Sequence, residues 1–214
     1  METTLIFVRH GESDANGKGM FAGHLDIAWS ERGLQQAELT AGWIKDKYCV
    51  DAIYSSDLQR AFCTALPIGR CCGLEVVKTP HLREIFAGQW QGMSFDDLQT
   101  QYSESYGVWL KDIGRAHPVG GESVMALSER IWECVQTIAH AEQGKTVVIV
   151  THATPIRSLL CRLKRLELEQ MKDVSWVSNT SLTIVRVKDE QWLLEEIGND
   201  AHLSGLRTQF PANV

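Results

Sequence analysis

Two short apolar runs, each leading into a histidine, dominate this sequence. The first run covers residues 5–8 and precedes Arg9 and His10, and the second covers residues 147–150 and precedes His152. Runs of this kind are typical of strands that are covered on both faces. In an open α/β sheet, ligands bind just beyond the carboxyl ends of such strands. We therefore expect both histidines at one sheet edge, in a site for an anion and for proton or phosphoryl transfer.

The alternation of strand and helix patterns predicts a three-layer α/β/α sandwich with a mainly parallel central sheet. The predicted strands are 4–9, 51–55, 74–78, the run ending before His152, and a closing hairpin of 180–187 and 191–197; the predicted helices are about 31–47, 57–72, 122–141 and 155–163. Pro67 lies inside the second helix and is expected to kink or break it. Pro155 is expected in the first turn of the last helix.

The length of 214 residues fits one domain, residues 1–214, with an insertion. The stretch from about 86 to 121 has scattered glycines and no clear period. We expect it to be an irregular, partly helical insertion near the site rather than a separate domain.

Charge and composition restrict the partners. The formal net charge of −6 argues against nucleic acid and anionic membranes, so an anionic substrate would need a local cluster of cations. No apolar run approaches the roughly 20 residues of a membrane span, and no signal peptide is apparent. The six cysteines lack metal or disulfide spacing, which favours reduced thiols in a cytoplasmic protein without a metal site.

Arg9, His10 and Gly11 carry the first candidate groups. A guanidinium presents a planar fork of donors that suits phosphate. A neutral imidazole beside it can attack phosphorus, and Gly11 is expected to let the backbone approach a ligand closely. Taken alone, the tripeptide fits equally well a basic residue and a hydrogen-bonded histidine at a strand end.

Two further segments carry candidate groups. Arg60 lies early in the helix after the second strand, where a helix N-terminus favours anions. Taken alone, it could equally be a solvated surface arginine. Glu84 follows the third strand among apolar residues, an environment that favours a protonated carboxyl group able to act as a general acid. The alternative is a charged turn in which Glu84 pairs with Arg83.

Together, these segments resemble the histidine phosphatase superfamily, also called the phosphoglycerate mutase-like family. The matching stretches are Val8-Arg9-His10-Gly11-Glu12-Ser13 with Asn16, Ser55-Ser56-Asp57-Leu58 with Arg60-Ala61, Leu82-Arg83-Glu84 with Gly88 and Trp90, Gly120-Gly121-Glu122-Ser123, and Val150-Thr151-His152. Their order and spacing cover nearly the whole chain. The departures from the common pattern, at Ser13, Ala28-Trp29-Ser30 and Ala153-Thr154, remove no catalytic group.

The resemblance implies a role for each matching residue. His10 would be the nucleophile that forms a phosphohistidine, and Glu84 would protonate the leaving oxygen and then activate water. Arg9, Arg60 and His152 would hold the phosphoryl oxygens, and a hydrogen bond would come from Asn16 in the same pocket. This chemistry needs positioning and positive charge, so no metal and no cofactor is expected.

The resemblance leaves more than one function open. Mutases of the family carry Glu-Arg-His-Tyr-Gly around the acid, whereas Ile85, Phe86 and Ala87 follow Glu84 here. We therefore favour a phosphomonoesterase that acts on a phosphorylated small molecule.

Three other outcomes remain open. They are a cofactor-dependent phosphoglycerate mutase, a non-enzymatic binding member of the family, and a homodimer. Retention of Arg9, His10 and Glu84 argues against the binding member.

Trp90 and Trp109 are expected to contact the organic leaving group. Five other histidines are expected at the surface or in turns, namely His24, His81, His117, His140 and His202.

Overall fold

Six strands form one central sheet in the computed structural model, which describes residues 1–208. The strands are β1 (Glu2–Arg9), β2 (Ala52–Ser55), β3 (Val76–Lys78), β4 (Thr146–Thr151), β5 (Leu182–Lys188) and β6 (Gln191–Asn199). Their order across the sheet is β3-β2-β4-β1-β5-β6. The first four strands are parallel, whereas β5 is antiparallel to β1 and forms the closing hairpin with β6. The mainly parallel sheet is confirmed; residues 209–214 of the expected domain lie outside the described residues.

Alternate residues of the central strands face two separate apolar layers. Leu5 and Phe7 of β1 belong to one cluster of buried residues, whereas Ile6 and Val8 belong to the other. Successive side chains of a strand point to opposite faces of the sheet. A strand that is apolar at every position therefore needs cover on both faces, which is what the sequence predicted.

Helices supply this cover. They are α1 (Asp14–Lys18), α2 (Glu31–Lys47), α3 (Gln59–Cys72), α4 (Phe95–Gln101), α5 (Ser103–Lys111), α6 (Val124–Ala141) and α7 (Ala153–Leu163). Helices α2 and α3 pack on the Ile6 face, and α6 and α7 pack on the Phe7 face. The three-layer sandwich is thereby confirmed. Among the described residues, no helix combines the length and the apolar character that crossing a bilayer requires.

The segment from 86 to 121 combines the helices α4 and α5 with short 3-10 turns. Trp90, Tyr106 and Trp109 from this segment are buried in the cluster that also contains Phe7. Phe21 meets the Trp109 ring edge-on, with 5.0 Å between their centroids. This segment is therefore partly helical, and aromatic packing attaches it to the end of the sheet that carries His10.

Two prolines lie inside helices, and Pro155 lies in the first turn as predicted. Helix α3 continues through Pro67 to Cys72, so Pro67 does not break it. Its side chain is buried, and the packing of the helix offsets the missing backbone hydrogen bond. Pro155 is the third residue of α7 because the helix begins at Ala153, directly after His152. A proline in the first turn interrupts no intrahelical hydrogen bond.

Candidate active site

A cavity opens at the sheet edge where β1 and β4 end. The register pairs Arg9 with Thr151, so the residues that follow, His10 and His152, are neighbours with 5.0 Å between ring centroids. The cavity is lined by Arg9, His10, Ser13, Asn16, Met20, Phe21, Ala22, Gly23, Arg60, Glu84, Phe95, Trp109, Ala153, Thr154 and Trp176. The structure thus brings together all the site residues expected from the sequence, with His152 packed against His10 rather than lining the cavity.

The ring of His10 is held in one tautomer. Its Nδ1 lies 2.7 Å from the carbonyl oxygen of Gly11. A carbonyl oxygen can only accept a hydrogen bond, so Nδ1 carries the proton and Nε2 carries the lone pair. Burial lowers the pKa of His10 well below 6.5, and the nearby Arg60 and Arg9 lower it further. The imidazole is therefore neutral at neutral pH, which is the nucleophilic form.

Buried side chains anchor the backbone around His10. The Gly11 N–H donates to Thr64 Oγ1 at 2.9 Å, and Asn179 Nδ2 donates to the His10 carbonyl oxygen at 2.8 Å. A Cβ atom at position 11 would lie 2.7 Å from the carbonyl oxygen of Gly33 in α2. A glycine at position 11 is therefore required by the close approach of the backbone to α2.

Two buried guanidinium groups line the cavity. Arg9 donates from Nη1 to the Val177 carbonyl oxygen at 2.6 Å. Arg60 donates from Nη1 to the Leu25 carbonyl oxygen at 2.9 Å and from Nη2 to that of Gly23 at 2.7 Å. Burial lowers the pKa of each arginine to about 10. Both groups stay charged at neutral pH, and they form the local cation cluster that an acidic protein needs to bind an anion.

His152 is fully buried, and one of its ring nitrogens is unsatisfied. Its Nε2 lies 2.8 Å from Ser56 Oγ, whereas Nδ1 has no hydrogen-bond partner among the described residues. Burial, followed by the charge of Arg60, lowers the pKa of His152 well below 6.5. A buried polar atom without a partner is uncommon, and a ligand oxygen beside His10 would satisfy an Nδ1–H donor.

Glu84 supplies the only carboxylate among the cavity-lining residues of the described chain. Its Oε1 accepts from the Ile85 N–H at 2.8 Å, and its Oε2 accepts from the Thr154 N–H of α7 at 3.3 Å. Arg83, the alternative partner considered from the sequence, instead binds Asp57 through hydrogen bonds of 2.7 and 2.6 Å. These contacts fix the carboxylate of Glu84 at the cavity.

Three residues that the sequence reasoning missed hold the segment carrying Glu84. Arg130 of α6 donates to the carbonyl oxygens of Arg83 at 3.1 Å and Glu84 at 3.3 Å. Glu122 accepts two hydrogen bonds, of 2.9 and 2.8 Å, from the Arg130 guanidinium. His24 lies in a turn, as expected, and places Nε2 2.7 Å from the Glu84 carbonyl oxygen. Only Glu122 had a local signal, because it lies in a family-like stretch.

The rest of the cavity wall is largely aromatic. Phe21, Phe95, Trp109 and Trp176 all line it. Of the two tryptophans expected near the leaving group, Trp109 lines the cavity but Trp90 does not. Trp90 is fully buried and packs edge-on against Phe21, with 5.5 Å between centroids. The prediction for Trp90 is wrong because its ring belongs to the core behind the cavity wall.

Asn16 reaches the cavity from the short helix α1. Its Oδ1 accepts from the Ser13 N–H at 3.1 Å and from Ser13 Oγ at 3.0 Å. Because these contacts occupy the oxygen, the amide N–H groups of Asn16 are the atoms left to donate to a ligand. Across residues 1–208, no three or more His, Cys, Asp or Glu side chains are grouped so as to hold a metal ion.

Known proteins share this sequence pattern. The sequence profile of the histidine phosphatase superfamily (branch 1) matches residues 5–200, a range that includes all the expected site residues. The chain is 32% identical over 199 residues to Phosphoserine phosphatase 1 of Hydrogenobacter thermophilus, covering 93% of both proteins. It is 31% identical over 206 residues to the metal-independent phosphoserine phosphatase of Arabidopsis thaliana, covering 95% of this chain and 84% of that protein.

The fold comparison agrees with the sequence comparison. The solved structure of YhfR from Bacillus stearothermophilus superposes with a TM-score of 0.90 and 27% sequence identity. The match covers 94% of this chain and 99% of that chain. The resemblance inferred from the motifs is thereby confirmed.

Proposed function

The chain belongs to the histidine phosphatase superfamily, and on this premise we propose that it is a phosphomonoesterase that hydrolyses a small phosphorylated metabolite through a phosphohistidine on His10. One observation carries the proposal. The neutral His10 ring, fixed through Nδ1 to the Gly11 carbonyl, lines a cavity that also holds two guanidinium groups and the carboxyl group of Glu84. This set contains a nucleophile, a phosphate clamp and an acid.

In the first step, the lone pair of His10 Nε2 attacks phosphorus, and the bond from phosphorus to the ester oxygen breaks. The proton on Nδ1 stays hydrogen-bonded to Gly11, and this contact stabilises the positive charge that the ring acquires. The low pKa of His10 means that no prior deprotonation is needed at neutral pH. Covalent catalysis divides a difficult displacement by water into two easier steps.

Arg9 and Arg60 hold the phosphoryl oxygens during both steps. Their carbonyl contacts to Val177, Gly23 and Leu25 orient the guanidinium groups before the substrate arrives. Charged groups that are already oriented stabilise the transition state of phosphoryl transfer better than groups that must first rearrange. We assign the unsatisfied Nδ1 of His152 and the amide of Asn16 to the same oxygens.

Glu84 transfers the protons. In the first step it gives a proton to the leaving alcohol oxygen, so the product leaves as a neutral alcohol. The carboxylate then takes a proton from a water molecule, whose oxygen attacks the phosphohistidine. The bond from phosphorus to Nε2 breaks, inorganic phosphate forms, and His10 and Glu84 return to their starting states.

We propose that this reaction needs no metal ion. Two guanidinium groups that stay charged at neutral pH supply the positive charge that phosphoryl transfer requires. The similarity to the Arabidopsis enzyme named as metal-independent supports this proposal.

We also propose a cytoplasmic protein with one domain. All six cysteines are free thiols in the structure, as is usual in reducing compartments. Phe95 and Trp109 of the 86–121 insertion complete the cavity at the end of the sheet, which supports its assignment to the same domain as His10.

A metabolite screen tests the proposed function. Purified protein without added metal is mixed with a panel of phosphorylated metabolites, and released phosphate is measured over many turnovers, with His10→Ala as the control. We expect sustained release by the wild type and almost none by the control. Phosphoglycerate interconversion that requires a bisphosphate primer would instead identify a mutase, and no turnover of any ester would refute the proposal.

A further inference from the structure

In the proposed mechanism, every charged side chain that lines the cavity acts on the phosphate ester itself. Arg9 and Arg60 hold its oxygens, and Glu84 serves the leaving oxygen. Among the described residues that line the cavity, no further charged side chain remains for the organic part of the substrate. What remains is a set of aromatic and small side chains and one methionine, with three uncharged polar groups.

Two further cations lie beside this wall, and both already have partners. Lys172 lines an adjoining cavity together with Arg157 and Trp176, and its Nζ lies 3.5 Å from Asp173 Oδ1. The Arg157 guanidinium carbon lies 3.9 Å from the centroid of the Trp176 ring, so the cation stacks on the indole. Arg157 donates to the carbonyl oxygens of Val174 at 2.8 Å and Met171 at 2.6 Å. It does not line the cavity, where Trp176 presents an indole instead. Arg157 therefore fixes the wall and provides no counter-ion to a substrate.

The charge of the organic part of a substrate affects how favourably it is buried against this wall. O-phosphoserine carries an ammonium and a carboxylate on the carbon next to the one that bears the phosphate ester. Each charge would lose water on entering the cavity, and among the described lining residues it would meet no counter-ion that the phosphoryl group does not already use, which is unfavourable. An apolar or aromatic group would instead gain from burial against Phe21, Phe95 and Trp109.

We propose that the organic part of the substrate is uncharged and apolar or aromatic, so the preferred substrate is a phosphate monoester of an uncharged alcohol and not a phosphorylated amino acid. This inference rests on the proposed phosphatase function and specifies its substrate class. It separates this chain from the activity that the names of its phosphoserine phosphatase relatives would suggest.

Three monoesters of primary alcohols test the proposal: 2-phenylethyl phosphate, n-propyl phosphate and O-phospho-L-serine. We expect kcat/KM to be roughly tenfold or more higher for the phenylethyl ester than for the propyl ester, because a ring is buried. O-phospho-L-serine should fall roughly tenfold or more below the propyl ester. The serine oxygen is the better leaving group, so leaving-group chemistry opposes the expected order. Phosphoserine turnover equal to or faster than that of the phenylethyl ester would overturn the proposal.

Wall variants test the residues responsible. Trp176→Leu and Phe95→Leu should each reduce the ratio of phenylethyl to propyl kcat/KM by about threefold or more, because each removes part of the aromatic surface. Trp132→Leu is the matched control, because Trp132 is also partly buried but packs on Trp192 at 4.7 Å. An unchanged ratio in both wall variants, with native melting temperatures, would refute the assignment.

A binding measurement separates failure of this inference from failure of the proposed function. Calorimetric titration of the His10→Ala variant with the same three esters needs no turnover. If the wild type hydrolyses no ester, the phosphatase proposal fails, and the binding order still decides the chemistry of the wall. Tighter binding of 2-phenylethyl phosphate supports the inference, and tighter binding of O-phospho-L-serine overturns it.

Discussion

Replacement of Arg60 by lysine tests whether the planar set of N–H donors of a guanidinium is needed at the proposed phosphate site. Two of the five N–H donors of Arg60 go to the Gly23 and Leu25 carbonyls, and three remain for phosphoryl oxygens. Lysine keeps the charge but has only three donors in total, so it cannot bind both carbonyls and also grip an oxygen bidentately. Loss of one charge-assisted hydrogen bond costs about 1.5–3 kcal/mol, or roughly tenfold to 150-fold in kcat/KM.

The assay compares kcat/KM for one phosphate monoester and the inhibition constant of vanadate between wild type and Arg60→Lys. Both constants should worsen together, because the same donors hold the substrate and the inhibitor. Arg70→Lys is the matched control, since Arg70 lies on the same helix but pairs with Glu38 at the surface. A folded Arg60→Lys protein with wild-type kcat/KM and unchanged vanadate inhibition would refute the clamp.

Three further predictions follow from the same site. Glu84→Gln should slow the phosphorylation step by about 10²–10⁴-fold for an alkyl phosphate and much less for p-nitrophenyl phosphate in single-turnover assays; equal slowing would point to another acid. Exhaustive chelation should leave kcat/KM unchanged, and a loss restored by one divalent ion would contradict the metal-independent clamp. The free energy of unfolding should fall as the pH drops below about 6.5, because the unfolded chain binds protons that several buried histidines refuse in the folded state. Burial lowers the folded-state pKa of His10, His24, His152 and His202. Equal urea midpoints at about pH 7 and pH 5 would contradict this linkage.

The groups proposed to bind the substrate phosphate could be located from the sequence because each lies near the end of a predicted element. Arg9 is the last residue of β1, and His10 and His152 directly follow β1 and β4. Arg60 lies in the first turn of α3, so all four residues lie at one edge of the sheet. The two-faced burial of β1 also followed from local apolar patterning. Short-range regularity was sufficient to predict these features.

The supporting contacts could not be predicted, because they join residues that are distant in sequence. Arg130 and Glu84 are separated by 46 positions. No periodicity in the local sequence indicates that an arginine will bind the carbonyl oxygens of a distant loop. Nothing in the sequence distinguished Trp90 from Trp109 as a cavity residue, whereas the packing of the structure places Trp90 in the core. Pro67 likewise does not break α3, although local rules predict a break or a kink, because its buried side chain packs with the rest of the helix. Tertiary packing decides each of these cases.

The most direct test of the mechanism is to look for a phosphohistidine during turnover. Wild-type protein is mixed with a radiolabelled phosphate monoester, quenched rapidly, and digested so that labelled peptides can be identified by mass spectrometry. We expect an acid-labile, base-stable label on the peptide that contains His10, and no label on the folded His10→Ala variant. A label that maps to another residue, or turnover that persists in His10→Ala, would contradict nucleophilic attack by His10.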